Sequence, residues 1–230
     1  MPGGCLDLEV FSSDAGGWTP VYLPYPPNFC SFQSFTPPFL GQSGKAAYWL
    51  GFCPRDKAVA YNSVDHSLRL IPVPARSHDI SALNRCIGER HDGGLRYAHF
   101  DAGEFQVWDS TGDDHWTLVH RATVKEVLRR SSRAAALFRE SSSSYMLRWI
   151  AASPQEASWY MFFTVVGFDP TDEDVFFFEA FALSCLAAYS MGLHELSYRC
   201  QLVPGAMSVP FNMFPYVRPP RLQIPDMQMH

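Results

Sequence analysis

The side chains of this chain that could do chemistry sit in polar turns. His115 and His120, beside Asp113 and Asp114, offer the nitrogen and oxygen donors that ligate transition metals. In a hairpin turn such residues read as solvated loop polars, so no metal and no other cofactor is expected. Asp101, Glu104, Asp172 and Asp174 are carboxylates of the type that glycoside hydrolysis uses in pairs roughly 5 to 9 Å apart. They too lie in turns, and a propeller-type glycan-binding or hydrolase domain using them stands as the alternative reading. The G-x-S-x-G elbow, the G-x-x-x-x-G-K phosphate cradle and the H-E-x-x-H zinc motif are absent. With no catalytic residue to single out, the expectation is a non-catalytic protein. The six cysteines (Cys5, Cys30, Cys53, Cys86, Cys185, Cys200) form no C-x-x-C pair and read as reduced, mostly buried thiols.

Two further groups bear on binding. Phe29, Phe32, Phe35 and Phe39 recur in a Pro-rich stretch, Tyr25 to Phe39, and are candidate anchors for a protein partner. The competing reading is that they plug gaps between sheets. Arg129, Arg130, Arg133 and Arg139 make residues 121–147 locally basic, a charge that suits an acidic partner or a phosphate but reads first as a solvated helical face. Thr123-Val-Lys-Glu126 has capping-box spacing, and Val124, Val127, Leu128, Ala135 and Phe138 recur at helical intervals. A short amphipathic helix is expected there, followed by a Ser-rich loop over Ser141 to Ser144.

The elements that must position these residues are repeated. Four segments share one form, apolar strand, polar turn, apolar strand: Leu6–Phe11 with Trp18–Leu23, Ala58–Tyr61 with Leu68–Val73, Phe105–Trp108 with Trp116–His120, and Cys185–Tyr189 with Leu196–Leu202. In each, an aromatic closes the first strand and a Trp or Leu opens the second seven or eight positions later: Phe11 and Trp18, Tyr61 and Leu68, Trp108 and Trp116, Tyr189 and Leu196. The linking residues are rich in Ser, Asp, Asn and Gly, which supply positive φ or bond their own backbone, so each unit is a β-hairpin. Anchors 11, 61 and 108 lie 50 and 47 residues apart, and the gap to 189 widens to 81 through the 121–147 insertion.

A period near 48 fits four strands per blade. Further strands are expected at Ala46–Leu50, Leu95–Phe100, Tyr160–Val166 and Val175–Phe178. The fold expected over residues 1–230 is therefore all-β, a β-propeller-like array of about four visible antiparallel blades, incomplete, with a short helix in the insertion. Alternating turns would gather the connectors 24–44, 74–81, 121–147 and 203–217 on one face of the disc.

Composition bounds the partners. Apolar residues make up 47% and charged residues 18%, enough to bury a core. A net charge of −5 gives no basic field, so neither nucleic acid nor an anionic membrane is expected as partner. The longest apolar run, Val175 to Tyr189, contains Glu179 and is short of a membrane span. Met1 to Glu9 lacks the positive n-region of a signal peptide, which reads as an intracellular, cytoplasmic or nuclear chain.

Particular motifs carry a family resemblance. Leu8-Glu-Val-Phe-Ser-Ser-Asp-Ala-Gly-Gly-Trp18 resembles the "VFSS-x-TG-x-W" stretch of plant F-box proteins with an F-box-associated, kelch-like β-propeller. Ala47-Tyr-Trp-Leu-Gly51, Ala60-Tyr-Asn-Ser-Val-Asp65 and Ile71-Pro-Val-Pro74 are similar to that family's "YWL…D…IPLP" blade. Gly94-Leu-Arg-Tyr97, Phe105-Gln-Val-Trp108 and Trp116-Thr-Leu-Val-His-Arg121 resemble the next blade. Phe168-Asp-Pro-Thr-Asp172 and Phe214-Pro-Tyr-Val-Arg-Pro219 resemble the closing one. The resemblance covers nearly the whole chain and is to the propeller part only, without the F-box. It implies a module that selects a protein substrate for ubiquitination. A Skp-type adaptor would be its partner only where an F-box is supplied.

Overall fold

The structure is a computed structural model, and it describes residues 5–12, 16–25, 39–41, 45–50, 56–74, 84–101, 103–112, 115–130, 163–169, 171–180 and 185–201. The described residues are all-β, an incomplete propeller-like array of antiparallel sheets that, among these residues, does not close into a barrel. The first sheet has two strands, β1 (Cys5–Ser12) and β2 (Gly17–Pro24). The second holds β3 (Phe39–Leu40), β4 (Ala46–Leu50), β5 (Lys57–Asn62) and β6 (Ser67–Pro72). The third holds β7 (Arg85–Glu89), β8 (Leu95–Asp101), β9 (Glu104–Ser110) and β10 (Trp116–Thr123), and the fourth β11 (Phe163–Phe168), β12 (Val175–Ala180), β13 (Cys185–Ser190) and β14 (Glu195–Gln201). Each is a meander with strands in sequence order.

The repeated hairpins are β1–β2 and the last two strands of each later sheet. Phe11 pairs with Trp18, Tyr61 with Leu68 and Tyr189 with Leu196. Five positions after each of these aromatics the backbone is left-handed: Gly16 (φ 64°), His66 (φ 53°) and His194 (φ 52°). That conformation closes the loop and favours glycine, yet two of the three positions hold histidine. The β9–β10 loop is one residue longer and takes its positive φ at Gly112 (94°), so Trp108 pairs with Leu118 rather than with Trp116.

The sheets stack face to face, and apolar clusters lie between them. Leu23 of β2, with Leu8, Val10 and Val21, packs on Ala47, Trp49, Tyr61 and Leu68 of the second sheet. That sheet's other face, with Tyr48, Ala60 and Ile71, packs on Ile87, Tyr97 and Trp108 of the third. The third sheet's far face, Ala98, Phe100, Phe105 and Val107, packs on Val165, Phe176, Phe178 and Tyr189 of the fourth. Phe105 is the centre of this last cluster, with ring centroids 4.8 Å from Phe100, 5.2 Å from Phe178 and 5.5 Å from Phe176. Each sheet thus covers the anchor aromatic of the next.

The first strands of the second, third and fourth sheets lie side by side, β7 touching both β3 and β11. A Cβ at Gly88 of β7 would fall 2.8 Å from Phe168 Cδ2 of β11, so the glycine makes room for that ring. β3 and β7 are strands that the sequence pattern does not announce. Helix α1 (Val124–Arg130) forms where the capping box predicts it. Glu126 Oε2 accepts from Thr123 N at 2.9 Å, and Glu126 N donates to Thr123 Oγ1 at 3.2 Å. Val124 and Val127 seat the helix on the third–fourth sheet core. The remainder of the 121–147 insertion, residues 131–147, lies outside the described residues. Among the described residues no helix is long and apolar enough to cross a membrane.

Candidate functional site

The most exposed aromatic surface of the described residues belongs to β1–β2. Cross-strand partners share a face, so Asp7 with Tyr22, Glu9 with Pro20 and Phe11 with Trp18 line the side turned away from the second sheet. Trp18 is 68% exposed, Tyr22 66% and Phe11 53%. The Phe11 and Trp18 rings meet at a tilt, with centroids 5.3 Å apart and planes at 58°. Phe11 occupies the repeat position of Tyr61 and Tyr189, both buried, and no described sheet covers it. Three large aromatics held in place by a strand pair, flanked by two carboxylates, have the composition of an interface anchor. Neither Asp7 nor Glu9 makes an ion pair with any described residue.

A second constellation sits between the third and fourth sheets. Tyr189 of β13, fully buried, has its hydroxyl 3.2 Å from His120 Nε2 and 3.1 Å from His194 Nδ1. The hydroxyl has one proton to give, so one ring accepts it while the other donates to the oxygen. The two imidazoles lie with centroids 5.1 Å apart. His120 reaches this place through a bulge in β10: the register breaks between Leu118 and His120, so His120 opposes Val107 and shares its core-facing side. Burial, and then the charge of His194, holds the His120 pKa down at about 4, against an opposing pull from Asp174. Burial pushes the Tyr189 phenol up to about 12. The same Tyr-x-x-x-x-His pair recurs in β5–β6, where Tyr61 Oη lies 2.7 Å from His66 Nδ1.

The neighbouring rim is closed by charge. Arg96 is bidentate to Asp109, Nε to Oδ1 at 2.6 Å and Nη2 to Oδ2 at 2.9 Å, with Arg90 Nη1 3.3 Å from the same carboxylate. Arg96 also donates to the Glu173 carbonyl, and His91 N to the Glu173 carboxylate, which ties the β7–β8 turn to the β11–β12 turn.

The residues singled out in the sequence fall in several places. Phe39 is half-buried in β3, its ring 6.5 Å from Tyr48 and packed on the second–third sheet core. Phe29, Phe32 and Phe35 lie outside the described residues, as do Asp113, Asp114, Arg133 and Arg139. His115 is exposed in the β9–β10 loop, apart from the His120 cluster. The four candidate carboxylates are not brought together. Asp101 and Glu104 flank the β8–β9 turn, where Glu104 accepts from Arg121 Nε at 2.7 Å. Asp172 and Asp174 belong to the turn that meets the opposite end of β8, about 20 Å away along a strand of this length. Asp172 Oδ1 is occupied by Asp174 N at 3.0 Å. Of the cysteines, Cys86 and Cys185 are buried free thiols and Cys5 and Cys200 exposed ones, while Cys30 and Cys53 lie outside the described residues.

Among the described residues no three His, Cys, Asp or Glu side chains converge as a metal site. Sequence reasoning missed the Tyr189 cluster, although the recurrence of Tyr-x-x-x-x-His at 61/66 and 189/194 was its available signal. No protein-family model matches this chain, and no curated protein matches it either.

Proposed function

We propose that this chain is a protein-interaction module of the F-box-associated propeller type, recruiting a protein substrate for ubiquitination where an F-box engages a Skp-type adaptor. The observation that carries the interaction reading is the exposed Phe11–Trp18–Tyr22 face of β1–β2. A rigid strand pair presents these aromatics at low entropic cost, and burying them against a partner removes apolar area from water. The resemblance of the Leu8–Trp18 stretch to the family's blade motif supports reading the same hairpin as part of a substrate-reading domain.

The test is affinity capture by the full chain, with quantitative comparison against a Phe11→Ser/Trp18→Ser variant. A reproducible set of proteins that the wild type retains and the variant loses, at unchanged melting temperature, is the expected outcome. Retention of the same set by the variant removes the proposed surface.

A further inference from the structure

We infer that the open edge of β1 takes up an extended, basic segment of a partner polypeptide as an added strand. This rests on the interaction reading and names its mode and chemistry. β5, β9 and β13, the counterparts of β1, are each hydrogen-bonded on both edges, to β4 and β6, β8 and β10, and β12 and β14. Among the described residues β1 pairs only with β2. No described residue pairs with its other edge, whose row of N–H and C=O groups can take an incoming strand. The two edges of the hairpin are not alike. Pro20 and Pro24 deprive β2 of ladder donors and blunt its edge, whereas the eight residues of β1 include no proline.

Charge selects the occupant. Asp7 and Glu9 stand on the outer face of β1 without a cation from the described residues, so a strand laid beside it meets two carboxylates at alternate positions. A second copy fits poorly: antiparallel pairing of β1 with itself about Leu8 sets Asp7 opposite Glu9 on the same face, and like charges directly opposed are unfavourable. A segment alternating Lys or Arg with apolar residues satisfies both faces. Its basic side chains meet Asp7 and Glu9, and its apolar ones continue the half-buried row of Leu8 and Val10, which packs toward Ala47 and Trp49.

The experiment is fluorescence anisotropy with the full chain and three labelled ten-residue peptides. One alternates Lys with Val, one alternates Glu with Val, and one is the Lys peptide N-methylated at every second amide. The Lys peptide should bind about 10-fold more tightly than the Glu peptide, as two opposed charge pairs imply. N-methylation should abolish binding, and Asp7→Lys/Glu9→Lys should reverse the preference. Because reversal is a gain of binding, misfolding cannot produce it. Equal binding of the Lys and Glu peptides, unchanged binding after N-methylation, or an unreversed preference overturns the inference. If the charge-reversed chain keeps the protein clients that Phe11→Ser/Trp18→Ser loses, the interaction reading survives and edge addition of a basic strand does not.

Discussion

Phe11 and Tyr189 hold the same place in their hairpins, yet one ring is 53% exposed and the other fully buried. Tyr189 lies beneath the third sheet, in contact with Phe105 and Phe176, its hydroxyl bonded to His120 of β10. Phe11 has the matching strand pairing and turn but no described sheet above it, and meets Trp18 at a tilt instead. The repeat therefore specifies a hairpin; stacking decides whether its anchor becomes core or surface. The same residue class that seals the third–fourth sheet interface becomes, on β1–β2, an apolar patch with acidic neighbours that no described residue covers.

The largest effect expected on this contrast is at the sealed interface. Phe105→Ala removes the ring at the centre of its cluster and should cost about 3–5 kcal/mol of stability, read as a lowered urea midpoint. A loss under about 1 kcal/mol would mean that the third and fourth sheets are not packed as described.

Acid should act on the same interface. The folded pKa of His120 is held at about 4, below the 6.5 of the free side chain, so as pH falls the unfolded chain binds the proton first. Its contribution is complete above roughly pH 6.5 and is lost progressively between there and about pH 4. The groups acting on His120 and Tyr189 are His194, Asp174 of the β11–β12 turn, and Glu126 and Arg130 of α1. His120→Gln should flatten the fall in urea midpoint across this window. An unchanged slope would move the acid sensitivity elsewhere.

At the open end the stability effect should be smallest. Trp18→Ser alters a side chain 68% exposed and should shift stability by no more than about 0.5 kcal/mol. A larger loss would show that the β1–β2 face is covered in solution and that the contrast with Tyr189 fails.

Much of this architecture was legible in the chain. The anchor spacing located all four hairpins, because turn chemistry and alternating strands act over a few residues. The Thr123–Glu126 capping box located α1 for the same reason. β7 was not legible: Arg85-Cys-Ile-Gly-Glu89 mixes charges and a glycine, and is a strand through its antiparallel ladder with β8, with Phe168 packed beside Gly88. β3 is only two residues long. The His120–Tyr189 contact depends on a one-residue bulge and on the stacking of two sheets, neither of which leaves a local pattern. The exposure of Phe11, Trp18 and Tyr22 was illegible too, since their residue types read as core, and only the sheet arrangement shows that nothing described lies over them.

The central claim, that the interfaces between the described sheets are sealed while the outer face and free edge of β1–β2 are not covered by any described residue, is tested most directly by hydrogen exchange of the full chain resolved to single amides. The account predicts strong protection in β8, β9, β12 and β13, and fast exchange at those alternate amides of β1 that do not pair with β2. Protection of every β1 amide as strong as that in β8 would contradict it, showing the edge already occupied.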